Sequence, residues 1–220
     1  MLILALDTAT EKGSLALADA DRVLQETSLE SHGAYLTRVL PGVAALLKAA
    51  DRELGEVAAV AVSVGPGNFT GLRIGLATAK TLAWSLGRPL VPVPTLEGLA
   101  ARFPGHPHPV GVVMDAKRGE VFWGLFQVSG TVPEGLAGPW RLPLAELAAH
   151  LAPPLLLTGP GLELSEIILT PRLAPGIALA PPEKRWPRAA TLAGLARHRL
   201  AAGLMAPPAQ LVPTYLRPAL

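Results

Sequence analysis

Apolar positions along the chain follow two periods. Leu2–Asp7 is a continuous apolar run closed by a carboxylate, and Ser14–Ala18 and Val23–Leu29 read as two more strands joined by a turn at Asp19–Arg22. Ser31 stands as N-cap of a helix to about Ala50, with an apolar face of Leu36, Val39, Leu40, Val43, Leu46 and Leu47. Pro41 lies within that helix and should kink it, because it has no N–H for the carbonyl of residue 37. Val57–Val64 reads as a strand buried on both faces. A glycine-rich turn follows, then a helix to Leu86 stopped by Gly87. Leu90–Val93 is a short strand, and Thr95 caps a helix to about Phe103.

Pro104–Pro109 is the one obvious linker, and the opening pattern returns after it. Val110–Asp115 is again an apolar strand ending in a carboxylate; Ala116–Gly119 is a turn and Glu120–Val128 a second strand. This is a weak internal repeat. A helix around Leu144–Leu151, a strand at Leu155–Thr158, irregular proline-rich chain and a last helix at about Ala189–Met205 complete the pattern. The expected organisation is an N-terminal lobe, 1–104, and a degenerate C-terminal lobe, 105–220, whose last helix and tail are candidates to pack back on the first. Three hairpinned strands, then strands alternating with helices, in two lobes that each open on an Asp-ended strand, resemble the α/β ribonuclease H-like/actin-like ATPase fold. A mixed sheet is expected in which the crossover strands run parallel to the first.

Composition narrows the function. Half of the 220 residues are apolar, net charge is only +2 and there is no cysteine. Independent nucleic-acid binding is therefore not indicated, and disulfides, thiolate catalysis and zinc–sulfur sites are excluded. The N-terminus lacks a basic region before its apolar run, and no stretch approaches a membrane span, so a cytoplasmic chain without membrane contact is expected. Arg well outnumbers Lys and proline is plentiful, a balance suited to a thermophile or a GC-rich genome.

The most informative segment is Ser63–Gly75, which contains Gly65, Pro66, Gly67, Phe69, Thr70 and Gly71. Thr70 stands where an N-cap belongs. A Walker loop would need Lys and Ser/Thr directly after its last glycine, but Leu72 and Arg73 follow Gly71. A dinucleotide fingerprint fails because Gly67 and Gly71 are four apart rather than three. In the helix, Gly71, Gly75 and Ala79 form a smooth stripe, flanked by Leu72 and Leu76 on one side and Ile74 on the other. Each glycine lowers helix propensity by about 1 kcal/mol, so another backbone must approach closely there, either within the core or across a subunit contact. Arg73 and Lys80 read as a solvated basic edge or as partners for another subunit's acids. Tyr35, Leu36, Val39 and Leu40 give the first helix more apolar surface than one sheet face covers.

Asp7 and Asp115 are the paired-carboxylate candidates, with Thr8 beside the first. Phosphate gripping also needs glycine-rich hairpins whose amides can reach phosphate oxygens. Here Ala9 and Glu11 occupy the first hairpin and Lys117, Arg118 and Glu120 the second, so both are better turns than cradles. No cofactor is expected. His32 has Leu36 one turn on and no second His; His106, His108, His150 and His198 give no metal clamp. Ser63 has no base partner and reads as a strand-end hydroxyl bonding the glycine loop.

Leu6-Asp7-Thr8-Ala9-Thr10, Ser63–Gly75 with Ala79-Lys80, Met114–Val121, Gly159-Pro160-Gly161 and Pro213–Arg217 together resemble the TsaB (YeaZ) family, the partner of the TsaD enzyme that builds N6-threonylcarbamoyladenosine (t6A) in tRNA. The match is weakest over 142–185. The resemblance implies an actin-like fold without a working catalytic site. It also implies a heterodimer with a TsaD-type subunit through first-lobe helices, a homodimer when alone, a TsaE-type ATPase in the full assembly, and tRNA met only through that assembly. The expected contact residues are His32, Tyr35, Leu36, Val39, Leu40, Gly71, Leu72, Arg73, Ile74, Gly75, Leu76, Ala79 and Lys80. An active ATPase or small-molecule kinase using Asp7 and Asp115 is the competing reading, and a metalloprotease-like hydrolase a third.

Overall fold

The computed structural model describes residues 1–19, 22–30, 35–163 and 173–216. They divide into two units, Met1–Gly98 with Pro187–Thr214, and Leu99–Trp186 with the chain from Tyr215 on. The division falls earlier than the expected boundary at 104, and Pro187–Thr214 belongs to the first unit.

In the first unit, β1 (Leu2–Asp7), β2 (Lys12–Asp19) and β3 (Arg22–Glu30) form the antiparallel meander. β4 (Ala59–Ser63) and β5 (Leu90–Val93) are reached through α1 (Tyr35–Ala49) and α2 (Phe69–Leu86), and give the order β3-β2-β1-β4-β5. β1 pairs with β4, and β4 with β5, in parallel, as helical crossovers require. α1 runs through Pro41, which is exposed. Its proposed cap Ser31, and His32, lie outside the described residues. α3 (Thr95–Ala100) begins at Thr95, but the buried Thr95 hydroxyl has no hydrogen-bond partner among the described residues, so it does not cap the helix. α4 (Ala189–Ala201) packs on β1 and β2. Its first amides are satisfied by strand side chains: Ala189 N donates to Ser14 Oγ at 2.7 Å and Ala190 N to Glu26 Oε1 at 3.1 Å, while Arg188 pairs with Glu26. The core joins Leu4, Leu6, Leu15 and Leu17 of the meander to Val39, Val43 and Leu46 of α1 and Leu76 and Ala79 of α2.

The second unit repeats the topology. β6 (Val110–Lys117), β7 (Glu120–Gln127) and β8 (Glu134–Pro143) are antiparallel, and β9 (Leu155–Thr158) and β10 (Ile177–Leu179) add in parallel, in the order β10-β9-β6-β7-β8. The expected helix at 144–151 is a 3-10 segment, Leu144–His150. Trp123, Leu147, Leu157 and Leu162 fill this core.

After α4 the chain straps the first unit. Ala206 N donates to Leu90 O at 3.0 Å and Thr214 N to Val64 O at 2.7 Å, and Leu211 packs against the core. Lys80, expected at a basic edge, instead donates its ammonium to Leu211 O at 3.1 Å and Ala209 O at 3.5 Å. Lys80→Met keeps the aliphatic stem and removes the donors. It is expected to speed limited proteolysis between residues 204 and 214 several-fold while leaving the melting temperature of the unit nearly unchanged.

Candidate functional site

Three glycines let the β1–β2 turn press against the start of α2. A Cβ at Gly67 would collide with Ala9 O, one at Gly71 with Thr8 O, and one at Gly75 with Thr8 Oγ1. The glycine stripe is therefore filled from within the unit, by the backbone and side chain of Thr8. Thr8 Oγ1 donates to Gly71 O at 2.8 Å, Thr8 N donates to Ser63 Oγ at 3.4 Å and Asn68 N to Ala9 O at 2.7 Å. The helix is capped by Asn68, whose Oδ1 accepts from Gly71 N at 2.8 Å; the expected cap, Thr70, already lies inside it. Ser63 thus holds the β1–β2 turn rather than its own loop. Tyr35, at the start of α1, closes the other side of the turn: its hydroxyl donates to Thr10 O at 2.6 Å and Glu11 O at 3.2 Å. On the far side of the loop, Gly65 lies under Thr214, whose O would sit 2.6 Å from a Cβ there.

Two amides of the first hairpin are engaged within the unit. Ala9 N donates to Asp7 Oδ1 at 3.0 Å and Thr8 N to Ser63. Asp7 is fully buried and its Oδ2 has no hydrogen-bond partner among the described residues. Desolvation raises its pKa from 3.8 to about 6, while the Ala9 amide and the Ser63 hydroxyl pull it down. In the second hairpin Asp115 Oδ1 accepts from Lys117 N at 2.7 Å and its Oδ2 pairs with Lys117 Nζ at 2.6 Å. Among the described residues no group of three His, Asp or Glu side chains is placed to hold a metal ion, and no helix is long and apolar enough to cross a membrane.

Large apolar side chains stand among the first unit's exposed residues. Leu36 is 77% exposed and Leu40 56%, one turn apart on α1; Phe69, at the start of α2, is 42% exposed with the Arg73 guanidinium 3.8 Å over its ring. The first turns of the two helices are neighbours, since Tyr35 Cε2 is 3.3 Å from the Cβ position of Gly71.

Comparison with known proteins places this architecture. A family model described as "TsaD: tRNA N6-adenosine threonylcarbamoyltransferase" matches residues 29–157. The tRNA threonylcarbamoyladenosine biosynthesis protein TsaB of Bacillus subtilis is 32% identical over 220 residues, 99% of this chain and 94% of that protein. The chain belongs to the TsaB (YeaZ) family. YeaZ from Pseudomonas aeruginosa superposes with a TM-score of 0.83 at 30% identity, covering 98% of this chain and 99% of that one. An activator of 2-hydroxyisocaproyl-CoA dehydratase from Clostridium difficile, at TM-score 0.52 and 8% identity over 92% of this chain and 97% of its own, shares the fold alone.

Within this TsaB-family fold, the expected contact residues separate into two sets. Tyr35, Val39, Gly71, Leu72, Gly75, Leu76 and Ala79 are buried within the unit itself; Ile74 is half-buried against its core. Leu36, Leu40 and Arg73 are exposed. Phe69, read only as part of the glycine motif, joins the exposed set; its place one turn before Arg73 was the available signal.

Two outcomes test the closed hairpin. Gly75→Ala places a methyl group against Thr8 and should destabilise the unit by about 1–3 kcal/mol in urea titration; a neutral effect would show that the turn is not seated on the helix. Asp7 holds its proton more tightly when folded than when unfolded. Its stabilising contribution is therefore full below pH 3.8 and lost as pH rises through about 6. Above pH 7.5 the buried charge costs about 3 kcal/mol. The stability of Asp7→Asn relative to the parent should rise by up to that amount between pH 4.5 and 8, and a pH-independent difference would refute the shift.

Proposed function

We propose that this chain is a non-catalytic scaffold and activator in t6A synthesis on tRNA, which binds and orders a TsaD-type catalytic subunit. A TsaE-type ATPase joins the assembled pair, the chain forms a homodimer when alone, and tRNA is met in the assembly. The reading is supported by the family and by the name of its Bacillus subtilis relative. The observation that carries it is the pairing of a hairpin whose Thr8 and Ala9 amides are spent internally with an exposed apolar face, Leu36, Leu40, Phe69 and Arg73, on the helices that the same hairpin fixes. Leucines this exposed at helical spacing suit a helix-on-helix contact.

The partner subunit and the isolated chain separate this from an actin-like ATPase or small-molecule kinase using Asp7 and Asp115. Size-exclusion chromatography with light scattering should show a dimer that exchanges for a heterodimer when the TsaD-type subunit is added. Leu36→Asp with Leu40→Asp should weaken that association at least tenfold without lowering the melting temperature. Titration with Mg-ATP should give no saturable heat; micromolar binding abolished by Asp7→Asn would favour the enzyme instead.

A further inference from the structure

The β6–β7 hairpin carries an unusual run of backbone. Its loop is the two residues Arg118-Gly119, closed by the Lys117↔Glu120 pair, and the register shifts between Asp115 and Lys117. Lys117, Arg118 and Gly119 all have left-handed backbone, at φ +63°, +58° and +77°. Two-residue hairpins of this hand are built from Asn-Gly or Gly-Gly, because residues with a full side chain seldom adopt positive φ. Here two successive positions that favour Asn or Gly hold long cations instead. A sequence that overrides its local backbone preference twice at an exposed tip does so for the side chains.

The charge around the tip is asymmetric. Asp115 is paired with Lys117 at 2.6 Å, and Glu120 with Arg141 at 3.2 Å. Both acids of the hairpin are thus paired with neighbours, and among the described residues the exposed Arg118 has no such partner. The base is fixed: Leu144 N donates to Gly119 O at 2.9 Å and Lys117 N to Asp115 Oδ1 at 2.7 Å. The result is one guanidinium held on a short, rigid turn, with too little open backbone to cradle a free polyphosphate and a fork suited to a phosphate oxygen pair.

We infer that the Arg118 tip contacts a backbone phosphodiester of the RNA handled by the assembly, as a positioning contact without base specificity. This rests on the reading of the chain as a t6A-synthesis subunit, and deepens it by giving the chain a direct RNA contact. Composition does not indicate an independent RNA-binding surface, and a single positioning contact within an assembly is compatible with a net charge of +2.

The test is fluorescence anisotropy of a labelled, unmodified tRNA transcript titrated with the full chain bound to its TsaD-type subunit, at several salt concentrations. Arg118→Asn restores the residue that the turn prefers, so it should fold and melt about 2–4 °C higher. It should bind the tRNA about 3–10-fold more weakly and lower the slope of log Kd against log salt by about 0.9. Arg52→Gln removes an exposed arginine already paired with Glu56 and should change neither. Light scattering on the same samples reports whether the two subunits associate. If they do and Arg118→Asn leaves affinity and slope unchanged, the RNA contact is refuted while the scaffold reading stands. If they do not associate, the scaffold reading falls and the RNA contact that rests on it falls too. Displacement of the tRNA by millimolar inorganic phosphate, at matched ionic strength, would mark a free-phosphate site and overturn the assignment to RNA.

Discussion

Everything in the first unit depends on one close approach, the β1–β2 turn seated on the first two turns of α2. It is possible only because Gly67, Gly71 and Gly75 present no Cβ to Ala9 and Thr8. Once seated, the turn orients both helices. Tyr35 ties α1 to it through Thr10 and Glu11, and Thr8 ties α2 through Gly71 O. The chain's end is recruited as well, since Thr214 pairs with Val64 and lies over Gly65 at the opposite side of the same loop. The exposed face of α1 and α2 is therefore held by a single junction.

That junction has an energetic logic that sets it apart from a phosphate loop. Two helical glycines cost about 2 kcal/mol in propensity together. The approach offsets this with the burial of Thr8 and with hydrogen bonds from Thr8 Oγ1, Thr8 N and Asn68 N. The Thr8 amide, once bonded to Ser63, is no longer open to another acceptor.

Much of this was legible in the chain. Strands at Leu2–Asp7, Leu90–Val93 and Leu155–Thr158 stand where their apolar runs place them, since a buried strand needs little more than such a run. The β8 strand was invisible because all but one of its residues are exposed or half-buried and it contains Gly138-Pro139, so no alternation marks it. The glycine stripe announced a close contact but could not say with what, because an absent side chain names no partner; only the fold brings Thr8 there. Likewise Lys80 looked like any basic helix residue, and its carbonyl partners lie at 209 and 211, too remote in sequence for any pattern to link. The exposed leucines of α1 were found within a stripe that mixes core and surface, since a helix start facing both a sheet and solvent offers no clean division of its apolar face.

The repeated topology sharpens the contrast between the two hairpins. Asp7 and Asp115 are each the sixth residue of their central strand, and each accepts the amide two residues on through Oδ1. From that shared beginning the surroundings diverge. The first hairpin was sealed: Ala9 and Thr8 are buried, and the carboxylate is desolvated. The second was opened: Lys117 is largely exposed, its ammonium answers Asp115, and Arg118 stands at a turn that favours Asn. The same carboxylate position is thus met by burial in one unit and by an ammonium in the other. That difference fits the two roles proposed for the hairpins, a rigid support beneath a docking face and a cationic point of contact.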